Sequence, residues 1–212
     1  MNQQIEEYIF DHLGAESSVL NELYRYTNLN FPYSGMISGH EQGRLLSMFS
    51  RMANPARILE IGTYTGYSAI CLAEGLRAGG HLHTIEQNDE LAETALAFFN
   101  KAGFTDKITL HVGDALSIIP QLDMVFDLVF IDAAKKQYLD YYHAIFSKVK
   151  PGGYILVDNI LWYGKVADTR IQDETTVLLR AFNDFVRNDE RVERAIVQNR
   201  DGLFILRKKL IF

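Results

Sequence analysis

Apolar positions along the 212-residue chain follow one period before about residue 56 and another after it. In the first stretch they recur at helical spacing. Ile5, Tyr8, Ile9 and His12-Leu13 share one helical face, Val19, Leu20, Leu23 and Tyr24 a second, and Leu45, Leu46, Met48, Phe49 and Met52 a third. Breaks at Asn28–Tyr33, which contains Pro32, and at Gly35–Gly39 separate these faces. The methionines of the third face read as core filling. Helices that precede every strand predict a lid over one edge of a sheet.

From Arg57 onward, short apolar runs alternate with helical segments. Strands are predicted at Arg57–Ile61, His81–Ile85, Ile108–Val112, Asp127–Ile131 and Tyr154–Val157. Two more, Val192–Val197 and Leu203–Arg207, flank the turn Asn199-Arg200-Asp201-Gly202. Helices are predicted at Tyr67–Leu76, at Asp89–Ala102 with Asp89 as N-cap, at Ala115–Gln121, at Gln137–Val149 ended by Pro151-Gly152-Gly153, and at Asp173–Asn188. Alternation that closes in a hairpin implies an α/β fold: a seven-stranded, mostly parallel sheet with one antiparallel strand and helices on both faces. No repeat, linker or low-complexity segment interrupts it, so the expectation is one domain over 1–212, with a helical lid at 1–55 and a sheet core at 56–212.

Composition narrows the function classes. The chain is 48% hydrophobic and 23% charged, ordinary for a soluble globular protein. A net charge of −6 argues against a broad nucleic-acid footprint. The single Cys71 has no partner for an internal disulfide, and in Ala69–Ala73 it reads as a small core residue. No signal-peptide pattern opens the chain, and no run approaches the roughly 18 apolar residues of a membrane span. A cytoplasmic location, with no membrane partner, is the expectation.

The chemistry gathers where strands end. Arg57–Ile61 runs into Gly62-Thr63-Tyr64-Thr65-Gly66 and then a helix, the strand–turn–helix unit beyond which open α/β sheets bind ligands. The spacing fails the dinucleotide fingerprint, because Tyr64 stands where a second glycine must let a pyrophosphate approach. Glu60 would also repel a phosphate. An acidic residue beside a glycine turn suits a ligand with a cationic amino acid end, such as S-adenosylmethionine; a tight turn without a ligand is the alternative. Glu86, about 20 residues beyond Gly66, sits where a carboxylate can take ribose hydroxyls. Asp114 follows the third strand, where it can accept from an adenine amino group or cap a helix. Asp132 and the pair Asp158-Asn159 end the fourth and fifth strands, bringing together two carboxylates and an amide oxygen. That hard-oxygen set suits Mg²⁺, with Mn²⁺ or Ca²⁺ as alternatives, rather than zinc. Helix capping is the other reading of both aspartates. His81 and His83 lack a third ligand, and Arg207-Lys208-Lys209 reads as a solvated end.

Three motifs in order carry a family resemblance: Glu60-x-Gly62-x-x-Thr65-Gly66-Tyr67-Ser68; Phe130-Ile131-Asp132-Ala133-Ala134-Lys135-x-x-Tyr138; and Gly152-Gly153-x4-Asp158-Asn159-x-Leu161-Trp162-x-Gly164-x-Val166. From about Met36 to Gly202 the chain resembles the cation-dependent O-methyltransferases, the caffeoyl-CoA and catechol O-methyltransferase group and its bacterial relatives. The resemblance implies a Rossmann-like, S-adenosylmethionine-dependent methyltransferase fold, often as a homodimer. It implies Glu60, Gly62, Ser68, Glu86 and Ala115, with Ser38, as cofactor contacts. It implies Asp132, Asp158 and Asn159 as metal ligands, and Lys135 as general base. Ala134 departs from the plant enzymes, which carry Asp there.

The expected acceptor is a vicinal-dihydroxy small molecule, sandwiched by Trp162, Tyr163 and the Phe31–Met36 segment, with Met36 at its edge; Trp162 as plain core is the alternative. A hydroxylated wobble uridine of tRNA is the second acceptor, met by a local rim of Lys135, Lys136, Lys165 and Arg200. A non-catalytic S-adenosylmethionine-binding protein is the third reading, and the Asp132/Lys135/Asp158/Asn159 set argues against it.

Overall fold

The computed structural model describes residues 3–210. The N-terminal stretch holds α1 (Gln3–His12), α2 (Ser18–Asn30) and α3 (Gly39–Ala53). Ser17 caps α2 by accepting from the Leu20 amide. Helix α2 buries Leu20, Leu23 and Thr27 at 3–4 spacing, while Tyr24, expected on that face, is exposed. Met48 and Met52 are also exposed, at 57% and 72%. The face α3 buries is instead Gln42, Leu46 and small residues, because it packs against α4 (Tyr67–Ala73), a helix buried on all sides.

The remaining elements are β1 (Arg57–Ile61), β2 (His81–Glu86), α5 (Ala92–Lys101), β3 (Ile108–Val112), α6 (Ala115–Ile118), β4 (Phe126–Ile131), α7 (Tyr138–Phe146), β5 (Val149–Val157), α8 (Glu174–Asn188), β6 (Val192–Val197) and β7 (Leu203–Lys208). Seven strands form one sheet in the order β3-β2-β1-β4-β5-β7-β6, parallel except for β7. The predicted fold class stands.

Strands β1 and β4 are mostly apolar, interrupted by Glu60 and Asp127, because both sheet faces are covered. Val129 and Ile131 join Tyr138, Tyr142 and Phe182 on one face; Leu128 and Phe130 join Leu46, Ile70 and Phe99 on the other. No helix among the described residues is long and apolar enough to cross a membrane.

Three boundaries differ from expectation. Asn88, not Asp89, caps the turn before α5: its side chain accepts from the Glu90 amide. Helix α4 ends at Ala73, short of the predicted Leu76. The predicted helix through Val149 stops at Phe146, and β5 begins at Val149, running through Pro151-Gly152-Gly153. The β4–β5 register shifts between Phe126 and Leu128, and that irregularity accommodates a proline without an amide to donate.

Chain order reverses between β1 and β4. Their carboxyl ends therefore part and open a crevice, the switch point at which such sheets bind ligands.

Candidate active site

A cavity of about 1130 Å³ occupies that crevice. Its walls come from the turn after β1, the ends of β2, β4 and β5, the segment before α3 and the β6–β7 turn. The strand ends are knitted together under it. The Asp132 amide donates to Ile61 O at 2.9 Å, and the Asp158 amide to Ile131 O at 3.0 Å. Gly62 has φ +100°, and a Cβ there would stand 2.1 Å from Asp132 O. No other residue allows the two strands to close so tightly.

Ser38, Gly62, Ser68, Glu86, Ala115 and Asp132 all line the cavity, as the sequence pattern leads one to expect. Glu86 is held by two main-chain donors, the Tyr64 amide to Oε2 at 2.7 Å and the Asn88 amide to Oε1 at 2.9 Å. Tyr64 makes its bond from a left-handed backbone, φ +49°.

Two expected cofactor contacts stand elsewhere. Asp114 Oδ2 accepts from the Ser117 amide at 2.9 Å and the Ser117 hydroxyl at 2.8 Å. Its carboxylate is the N-cap of α6, and the cavity wall is made by its neighbours Gly113 and Ala115. Glu60 is wholly buried and lies behind the wall rather than in it. A chain of hydroxyls leads to it: Thr63, which does line the cavity, bonds Thr84, and Thr84 donates to Glu60 Oε2. Glu60 Oε1 has no partner. Burial pushes the Glu60 carboxyl up to about 8, against the pull of the Ser68 and Thr84 hydroxyls.

The oxygen set is brought together as expected. Asp132, Asp158 and Asn159 line the same cavity, and Asn159 sits in the left-handed region, φ +56°. Asp132 Oδ1 accepts from Lys135 Nζ at 2.6 Å, and that amine lies 5.3 Å from the centre of the Tyr138 ring. Asp158 is 2% exposed, with Oδ2 bonded to Gln42 Nε2 at 2.8 Å and Oδ1 without a partner. Burial, reinforced by the Asp132 charge, raises the Asp158 carboxyl to about 6. Among the described residues no three His, Cys, Asp or Glu side chains form a metal cluster. The donors here are two carboxylates and a neutral amide. A buried carboxylate oxygen without a hydrogen bond is what a hard cation would satisfy.

The acceptor side is aromatic. Trp162 and Tyr163 are consecutive left-handed residues, φ +49° and +55°, with ring centres 5.5 Å apart. Trp162 both lines the cavity and packs on the core, so its two expected roles coexist; its Nε1 has no partner. The strain of this loop is held by the β6–β7 turn. There the Tyr163 amide donates to Asp201 Oδ1 at 2.6 Å and the Leu161 amide to Asp201 O at 2.9 Å. Tyr33 and Met36 also line the cavity.

One residue at the site escapes the sequence reading, and another is placed differently from expectation. Gln42 carries a legible signal: it lies three and four positions before Leu45 and Leu46, a polar residue on an apolar helical face. Arg200, expected on a basic rim, turns inward and donates to Ile37 O and Ser38 O.

Residues 11–209 match a family described as O-methyltransferase. A caffeoyl-CoA O-methyltransferase of Populus kitakamiensis is 33% identical over 98% of this chain and 94% of its own. A catechol O-methyltransferase of Niastella koreensis is 33% identical over 93% of each. The crystal structure of the O-methyltransferase TomG of Streptomyces achromogenes, involved in tomaymycin synthesis and solved with S-adenosylmethionine, superposes with a TM-score of 0.91. It is 31% identical over 99% of both chains.

Proposed function

The chain belongs to the O-methyltransferase family, and from that premise we propose that it moves a methyl group from S-adenosylmethionine to one oxygen of a catechol-type small molecule, with help from a divalent cation. The observation that carries the reading is Asp158 Oδ1: buried and unpartnered, on a residue that lines the cavity together with Asp132 and Asn159. These three residues would hold the cation, which supplies Lewis acidity toward an acceptor hydroxyl.

The chain's own residues do the rest. Gly62, Ser68, Glu86 and Ala115 line the donor half, and Glu60 lies behind it, a carboxyl that the donor's cationic end would draw into its charged form. Trp162, Tyr163 and Met36 offer flat and apolar surface to a planar acceptor. Lys135 receives the hydroxyl proton, which requires its amine to leave the Asp132 carboxylate and present a free lone pair. Holding both reactants in one cavity supplies much of the rate.

A small molecule fits this rim better than tRNA. Lys135 pairs with Asp132, Lys136 with Glu174, and Arg200 with main-chain carbonyls, so three of the four cations of the expected rim are engaged. With a net charge of −6, little remains to bind a phosphate backbone.

The test is methyl transfer to a 3,4-dihydroxyphenyl acceptor with Mg²⁺ and with EDTA. Turnover that EDTA abolishes is expected. Turnover undiminished by EDTA overturns the cation, and no turnover with Mg²⁺ overturns the acceptor class.

A further inference from the structure

The Asp158 carboxylate has two oxygens in unlike states, and the difference is made by a residue 116 positions away in sequence. Gln42 comes from α3, outside the sheet, and is 2% exposed. Its Nε2 donates to Asp158 Oδ2 at 2.8 Å, and its Oε1 faces Arg200 Nη1 at 3.5 Å. The two neighbours fix the amide's sense. Turned over, it would set a carbonyl oxygen against a carboxylate and an NH₂ against a guanidinium, two repulsions in place of two attractions. Arg200 is itself immobilised. It sits in the left-handed region, φ +48°, in the β6–β7 turn, and donates to the carbonyls of Ile37 and Ser38.

Resting on the cation reading above, we infer that Gln42 is a positioning residue. It ties Asp158 Oδ2 so that Oδ1 stays aimed and unpaired for a hard cation, and Arg200 sets Gln42 and the Ser38 wall together. A carboxylate free to rotate would share its charge between orientations and bind an ion less well, which is why residues that orient metal ligands matter nearly as much as the ligands. The arrangement also gives the two residues different signatures. Gln42 touches the cation end directly, through Asp158, and meets Arg200 only by a long 3.5 Å contact. Arg200 touches Gln42 and the main chain beside Ser38, so it reaches the donor end too.

The experiment measures Mn²⁺ binding by electron paramagnetic resonance and S-adenosylhomocysteine binding by calorimetry, on wild type, Gln42→Leu and Arg200→Gln. Gln42→Leu is expected to weaken Mn²⁺ by about 10- to 100-fold while S-adenosylhomocysteine binds within about twofold. Arg200→Gln is expected to weaken both. Mn²⁺ binding by Gln42→Leu equal to that of a Mn²⁺-binding wild type overturns this inference alone. A wild type that binds no Mn²⁺ overturns the cation reading beneath it. Should Gln42→Leu fail to fold, Gln42→Met, which keeps the length of the side chain without its donor, is read by the same criteria.

Discussion

Glu60 predicts a proton that leaves when the methyl donor arrives. Its carboxyl is raised to about 8 by burial, so at pH 7 about nine in ten molecules of the ligand-free protein carry it protonated. A donor whose cationic amino end draws on this charge must ionise it on binding. Observed affinity then follows the ionised fraction, which grows about ninefold from pH 6 to 7 and about fivefold from 7 to 8, and levels off above. The sign is fixed by linkage: binding favours the carboxylate, so it releases a proton and tightens as pH rises. For the ligand-free protein the same shift acts the other way. Stability from the neutral carboxyl is present below its unfolded value of 4.5 and is lost as pH rises through about 8. Calorimetry with S-adenosylhomocysteine at pH 6 to 9, in two buffers of different ionisation enthalpy, counts the proton. Between pH 6 and 7 the ligand's amino group, with an α-amino pKa near about 8, stays mostly charged and contributes little. Glu60→Gln should bind more weakly at pH 8 and lose the slope below it. Identical slopes in wild type and Glu60→Gln would refute the coupling.

Lys135→Ala should lower kcat by about 100-fold or more while S-adenosylhomocysteine affinity changes less than about twofold; an unchanged pH–rate profile removes Lys135 as the proton acceptor. Gly62→Ala places a methyl 2.1 Å from Asp132 O at φ +100°, and the strain and overlap should cost about 2–4 kcal/mol. Thermal unfolding should show a midpoint lower by roughly 5–15 °C, and an unaltered midpoint would contradict the close approach of the two strands.

Much of this site is legible because its residues end strands, and strands are the best-marked elements of the chain. Asp132, Asp158 and Glu86 could be placed from apolar runs alone. What spacing does not give is direction. Asp114 and Glu86 both follow strands, yet Asp114 turns back to its own helix because Ser117 lies three residues on, whereas Glu86 is caught by the Tyr64 amide from another strand's turn. Charge alone suggests Glu60 as a contact, but one residue before the strand's last position it is wholly buried beside its register partner Thr84, whose hydroxyl donates to it. Gln42 and Arg200 depend on partners more than 100 residues distant, and local patterns carry no trace of such pairs. The exposed Met48 and Met52 went astray in the opposite way: their helical period was right, but α4 takes the small side of α3.

The place of β7 in the sheet has a consequence for how the protein is made. Strand β7 is synthesised last of the seven, yet it lies between β5 and β6 rather than at an edge. On the ribosome, β1 to β5 can pair as each emerges, and β5 then waits with an open side. The turn that brings Arg200 and Asp201 to the loop after β5 forms only when β7 slots into that gap. Every residue proposed for chemistry is therefore translated well before the hairpin that holds its surroundings in shape. A nascent chain lacking β7 has the donor-side turn but a slack acceptor loop, with an exposed strand edge that invites mispairing. The order of synthesis places the hairpin that completes the pocket after every residue proposed for chemistry.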